Sequence, residues 1–406
     1  MKRIFTLLFV FFLFSTAHTQ SHQNWKTDLD TLEKRLLKKD YLFTEISKQE
    51  FQLKIDILRK NKTKSIAFKY WELFKLLENF KTYSLTLDNV PFKRFPFTIK
   101  QFQKKYYLTS IHSDFDYCLA YELIAINDFN IETVMKVSKS VNKLNIQSFL
   151  QYYGFSNSNN LKLTLLTKDN KKIKINISLS EVNSNNLVKI TPKKTPFYLR
   201  KPNKWFWKYG INFGKQVYFK YNIGLSKEFI EKIKDSFKIS ELTISRDYKL
   251  PLQEIYDAPT FNDFTNKLFD KFKKRHYKKL FIDLRNQTTG NVIALKKFIS
   301  KLKKLKRINK KNRLYVFIDK NSSSATLKTI ITLKNELNIL IIGDKVKGAS
   351  CSTNLISSFS LPYSKFKLFV PDQKCKIITI EPNIIATPSI SNYINGVDAI
   401  LQKALN

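Results

Sequence analysis

Glycine is scarce in this chain, at 8 of 406 residues, where globular proteins average about 7%. A motif that normally carries glycine can therefore lose it here through composition alone. Cysteine is scarcer still. Cys118, Cys351 and Cys375 are the whole set, which excludes a disulfide scaffold and leaves Cys351 with Cys375 as a pair that an oxidising compartment could join. Histidine is confined to His18, His22, His112 and His276. Acidic residues are few as well, 33 against 72 Lys and Arg, for a formal net charge of +39. Such an excess ordinarily points to nucleic acid or anionic membrane. Yet the basic residues are spread along the chain, and Lys far outnumbers Arg. The densest run, KLKKLKRINKKNR at 301–313, repeats Leu at helical spacing and reads as a solvated helix face. No nucleic-acid partner is expected; affinity for anionic surfaces outside the cytoplasm stays open.

Long apolar runs are also missing, apart from one at the N-terminus. Lys2 and Arg3 precede Ile4 to Phe14, where only Thr6 is polar, and Ser15-Thr16-Ala17 offers small residues for cleavage. This is the pattern of a secretory signal peptide over 1–19. The run is too short for a bilayer, which needs roughly 20 residues. No cysteine stands near the cleavage point, so a lipoprotein anchor is not supported. The expectation is a soluble protein exported to the periplasm or the extracellular space, with no membrane span. Nothing in the sequence sets an oligomeric state.

What is present divides into three regions. Residues 20–95 are expected to be helical, since Leu29, Leu32, Leu36 and Leu37, then Trp71, Phe74 and Leu77, recur at helical spacing. Pro91 and Pro96, among Phe92, Phe95 and Phe97, mark the change to a β-rich module over 96–192. There YYLTSI and LIAIND read as strands, 131–150 as helical, and 161–179 as a hairpin around Asp169-Asn170. LIAIND resembles a strand of PDZ-like modules, although the glycines of that pattern are missing. The resemblance implies capture of an extended peptide by strand addition; a generic small β-module is the alternative. The proline-bearing stretch 193–204 leads into the last domain, 193–406. In it VYFKY, LFIDL, LYVFI and ILIIG alternate with helix-length segments. That alternation predicts βαβ units around a parallel sheet, with sites at the strand C-termini.

Two segments of this domain carry chemistry. In KKLFIDLRNQTTGNV, 278–292, an apolar run ends in charge and then in a small-residue turn. In LYVFIDKNSSSAT, 314–326, a strand leads to three serines at the start of a helix. Together with WFWKYGINFGKQVYFKYN, ILIIGDKVKGAS, FSLPYSKFKLFVP and IEPNIIATPSISNYINGVDAILQKAL, in this order, they resemble the motifs of the C-terminal-processing (tail-specific) serine peptidases. The resemblance covers roughly the last two hundred residues. It implies an α/β fold with a crotonase-like (ClpP/crotonase) parallel-sheet core and proteolysis of polypeptide substrates without metal or cofactor.

Carried over residue by residue, the nucleophile position falls on Ser323, with Gly290 and Ser324 at the substrate-binding and oxyanion positions. A serine there has a helix N-terminus beside it, whose N–H groups and dipole favour a developing oxyanion; serine at that place is also an ordinary helix cap. The activating base is another matter. Where one branch of the family has lysine, after Gly348, this chain has Ala349. Where other branches have histidine it has Ser352 and Tyr83, with Lys81 in place of an aspartate. Lys345 and Lys347 are the candidate bases nearest in sequence, and His112 is the histidine best placed by sequence. Thr288 and Thr289 replace glycines of the substrate turn, where β-branched residues resist positive φ. The sequence thus leaves two functions open. One is an exported serine-type peptidase of weak or no activity; the other is a non-catalytic peptide-binding or scaffold protein that keeps the protease fold.

Overall fold

Leu29, Leu32 and Leu36 share one helix face, and in a computed structural model residues 24–37 form a helix that buries all three completely. The structure describes residues 24–61, 65–80, 86–88, 93–179, 186–237, 250–274, 277–287, 292–320, 322, 324–349, 356–371 and 377–406. The expected signal segment, 1–19, lies outside them. The described chain divides into two compact units. One takes the described residues of Met1–Ile190 and Thr353–Cys375, the other those of Thr191–Ser352 and Lys376–Asn406.

In the first unit two more helices, Lys48–Lys60 and Ile66–Leu77, start where Ser47 and Ser65 accept from the N–H groups of Glu50 and Phe68, at 3.0 and 3.2 Å. Five later strands pair antiparallel in the order Phe97–Phe102, Lys105–His112, Glu122–Ile126, Asn160–Leu166, Lys172–Ser178. Leu161, Leu163 and Leu165 alternate into the core, as period-2 spacing demands. The hairpin expected around Asp169-Asn170 is present, with Asn170 at φ 59°. The helix expected over 131–150 is instead interrupted. Ile131–Ser138 ends at Lys139, whose backbone is left-handed; a single 3-10 turn follows at Val141–Lys143, and α-helix resumes at Gln147–Tyr152. Ile356–Ser360 and Lys367–Pro371, for which the resemblance implies a strand pair within 193–406, form an antiparallel pair that belongs to this first unit.

The second unit is built on a six-stranded sheet. Its strands are β1 (Phe206–Ile211), β2 (Gln216–Tyr221), β3 (Lys279–Asp283), β4 (Leu314–Ile318), β5 (Ile339–Gly343) and, after a separate antiparallel pair β6 (Val346–Ala349) and β7 (Ile377–Ile380), β8 (Ile384–Ile385). They lie in the order β8-β5-β4-β3-β2-β1, parallel except for β1. The helices α1 (Lys227–Phe237), α2 (Phe261–Lys274), α3 (Val292–Lys304), α4 (Ser324–Glu336), α5 (Ile390–Asn395) and α6 (Ala399–Leu405) connect or succeed these strands. On one sheet face Phe219, Ile282 and Val316 pack with Leu268, Phe298 and Ile330 of the helices. On the other, Tyr218, Phe281 and Phe317 pack with Ile400 and Leu401 of α6. A sheet covered on both faces needs continuous apolar strands, which is why LFID and LYVFI do not alternate.

Two motif glycines are steric necessities. A Cβ on Gly343, at φ 142°, would sit 1.9 Å from the Ile318 carbonyl oxygen at the end of β4. One on Gly396, at φ 65°, would sit 1.6 Å from the Lys194 carbonyl oxygen.

Edge strand β1 carries a misfit. The Lys208 ammonium is buried over the Phe264 ring without a hydrogen-bond partner among the described residues. Burial, reinforced by Lys271 and Lys267, pushes its pKa down to about 8. Below that pH the folded protein carries a poorly solvated charge, and the unfolded chain does not. Stability should therefore rise with pH between about 8 and the usual lysine value near 10.4. Lys208→Met should raise stability at pH 7 by about 1 kcal/mol, and the gain should disappear above pH ~10.5. Urea melts of both proteins at the two pH values check this.

Candidate active site

The C-terminal ends of β2, β3 and β4 bring a set of charged side chains together inside the second unit. Lys220 on β2 stands in register with Asp283 on β3. Both are buried, at 1% and 0% exposure, as are Arg285 and Gln287 just beyond β3, at 3% and 2%. Charges this deep persist only when paired and hydrogen-bonded. Arg285 meets that condition from both sides. Its Nε donates to both Asp283 carboxylate oxygens at 3.0 Å, while Nη1 and Nη2 donate to the two oxygens of Asp398 at 2.8 Å each. Asp398 in turn caps α6, accepting from the Leu401 N–H at 3.1 Å. The Arg285 guanidinium also lies over the Tyr198 ring, 4.3 Å from its centroid. Thus the DLR turn and the GVD tail, far apart in sequence, are two halves of one ion pair.

The rest of the cluster is tuned by the same charges. Burial would raise the proton affinity of Asp283, but Arg285 and Lys220 outweigh it and hold the carboxyl below its usual range. Burial lowers the proton affinity of Lys220, against the pull of Asp283 at 3.7 Å; its ammonium donates to the Arg285 carbonyl. The Tyr218 hydroxyl donates to Asp283, and burial beside that carboxylate pushes its pKa far up. Asp319, just past β4, is half-buried, and burial raises its pKa. At the same corner the Gln287 carboxamide accepts from the Thr326 hydroxyl of α4 at 3.1 Å, and its Nε2 has no partner among the described residues.

The serine turn adjoins this corner along the chain. Ser322 is half-buried between β4 and α4, and α4 starts at Ser324. Ser323 and Gly290, with Thr288 and Thr289, lie outside the described residues, as do the side chain of Ser324 and the whole of Ser352, Tyr83, Lys81, Cys351, Cys375, His18, His22 and His276. Both candidate lysines face solvent. Lys345 is exposed and ion-paired with Glu381. Lys347 is exposed on β6, between buried Val346 and Gly348, where an added Cβ would touch Leu327 of α4 at 2.8 Å. Strand alternation therefore points Lys347 away from α4. His112, in the first unit, is half-buried; its Nδ1 accepts from the Asp114 N–H at 3.4 Å and stands 3.4 Å from the Asp114 carboxylate. Among the described residues no group of three or more His, Cys, Asp or Glu could hold a metal ion, and no helix is long and apolar enough to cross a membrane.

Sequence reasoning missed Lys220, Asp283, Arg285, Gln287, Asp319 and Asp398 as site residues, although the DLR stretch belongs to one of the motifs. Lys220 and Asp319 each interrupt or end an apolar strand, which was the available signal.

Solved structures add the decisive observation. Mature CPAF superposes over 94% of this chain and 96% of its own, at 12% identity and a TM-score of 0.57. Mature CPAF complexed with lactacystin does so over 94% and 97%, at 11% and 0.58. The chain has the fold of CPAF. A photosystem II D1 C-terminal processing protease also aligns, over 92% and 98%, at 11% identity and a TM-score of only 0.38. No protein-family model and no curated protein matches the chain. The likeness to CPAF is thus one of architecture, mixed α/β with several sheets, at an identity where side chains must be argued one by one.

Proposed function

We propose that this chain is an exported serine-type peptidase-like protein related to the C-terminal-processing (tail-specific) peptidases, weak in catalysis, that acts on polypeptide. In this reading 193–406 is the protease domain, with a crotonase-like core and Ser323 at the nucleophile position. The β-rich module, 96–192, is PDZ-like and takes an extended peptide along a sheet edge. One observation carries it: Ser322 stands between the C-terminal end of a buried parallel strand and a helix that starts at Ser324, so the triplet 322–324 falls in sequence at that junction, on a chain with the CPAF fold. A nucleophile there has its oxyanion stabilised by fixed dipoles.

A specific observation also favours the non-catalytic reading. The two lysines nearest in sequence to the family's base position point to solvent, so binding or scaffolding of peptides is the second function. A fluorophosphonate probe separates the two. Slow labelling of the peptide containing Ser322–Ser324 is expected. Folded protein that stays unlabelled would sink the peptidase reading and leave the binding role standing.

A further inference from the structure

The serine turn holds a nucleophile–base geometry one residue from the family position. Ser322 Oγ donates to Asp319 Oδ1 at 3.3 Å and accepts from the Asp319 N–H at 3.3 Å. The backbone alone closes the turn, since the Ser322 N–H donates to the Asp319 carbonyl at 3.0 Å. The hydroxyl–carboxylate contact is therefore additional to holding the chain. A turn aspartate with only a local role generally sits in water. Asp319 is half-buried and feels Arg285 and Asp283 from the end of β3, Lys220 from β2, and Tyr198 from the segment before β1. Burial raises its proton affinity; Arg285 and Lys220 oppose the rise and Asp283 adds to it. Such a carboxylate, once ionised, is a better proton acceptor than an ordinary aspartate. Independently, the Gln287 Nε2 is a buried donor without an acceptor among the described residues, an unfavourable state that an arriving carbonyl oxygen would relieve.

We propose that Ser322 and Asp319 are a nucleophile and its general base, with the Gln287 amide donating to the carbonyl oxygen of bound polypeptide. The proposal rests on the serine-peptidase reading above and places its nucleophile one residue closer to β4. As Ser322 Oγ bonds to the peptide carbonyl carbon, its proton passes to the Asp319 carboxylate. When the C–N bond breaks, that proton goes to the leaving amine, which departs and leaves acyl-Ser322. Water then attacks the acyl carbon and gives one proton to Asp319, which returns it to Ser322 Oγ as the acid leaves. Hydrogen bonds between such pairs are commonly long in unliganded enzymes, so 3.3 Å is a workable start.

The test uses the full-length protein, a fluorophosphonate probe and mass-spectrometric mapping of the adduct across pH. The expected adduct is on Ser322, where the Oγ–P bond replaces P–F. Its rate should rise through a midpoint above the usual aspartate value near 3.9 and then level off. Asp319→Asn should lower the plateau rate by about 10²-fold or more and flatten the profile; Gln287→Met should lower it by about 10²-fold while keeping the profile. An adduct on Ser323 or Ser324 overturns the proposal and leaves the peptidase reading standing. No adduct on any of the three, in protein with an intact unfolding transition, overturns both. A wild-type profile without a midpoint, or Asp319→Asn labelling Ser322 at the wild-type rate, overturns the role of Asp319. Adduct position and pH profile are read on the wild type, so they decide even where a variant fails to fold.

Discussion

Arg285→Met should destabilise the protein by about 3–5 kcal/mol, the cost of breaking a buried ion pair from one side. The guanidinium is the shared partner of Asp283, fully buried, and Asp398, 8% exposed. Without it both carboxylates stay in the interior, answered among the described residues by Lys220, Tyr218, the backbone N–H of residue 285 and one helix N–H. Methionine fills much of the same volume, so lost charge rather than a cavity dominates. Total stability of a domain is about 5–15 kcal/mol, so the loss should be obvious in a urea midpoint at unchanged slope. The pH dependence provides a second check. Asp283 has its proton affinity lowered on folding, so it contributes stability above its unfolded value near 3.9, lost as pH falls through the lower folded value. In Arg285→Met that support is weakened, and acid unfolding should begin at higher pH. A midpoint within error of wild type would contradict the role given to the ion pair.

Much of the frame that holds this pair was legible in the sequence. LYVFI and ILIIG are strands at the expected residues, and LFIDL is one over Lys279–Asp283. LYVFI and ILIIG are uninterrupted apolar runs bounded by polar residues, and the third strand is one from Leu280 to Ile282, broken by Asp283, a pattern that a sheet covered on both faces imposes. The break at Lys139 was not legible, because a lysine in the left-handed region leaves no compositional trace. The ionic cluster was hidden for another reason. Lys220, Asp283, Arg285 and Asp319 sit one or two residues inside or beyond their strands, and only the parallel register of β2, β3 and β4 makes them neighbours. The partnership of Arg285 with Asp398 spans 113 residues, a distance local pattern does not reach.

The second large effect concerns hydrolysis. In the peptidase reading proposed above, the turn between β4 and α4 should support slow cleavage of unfolded polypeptide, slow because Thr288 and Thr289 stand where the resembling family has a glycine pair, and one lost oxyanion donor alone costs about 10²–10³ in rate. Replacing Ser322, Ser323 and Ser324 together by alanine removes every hydroxyl that this turn could offer, whichever of them attacks. In a well-studied serine protease, loss of the nucleophile costs about 10⁶ in kcat. From a weak start the visible loss is smaller, at least ~10²-fold and down to the blank. Three alanines in a helix-start turn also remove capping, worth about 0.5–2 kcal/mol. The comparison is therefore made well below the melting temperature of the variant.

The measurement that bears most directly on the serine turn is turnover of an internally quenched, unfolded polypeptide by the wild type and this triple variant, side by side. Slow wild-type cleavage that falls to the blank in the variant is the predicted result. Folded wild type no faster than the blank, or a variant that cleaves as fast as the wild type, would contradict it.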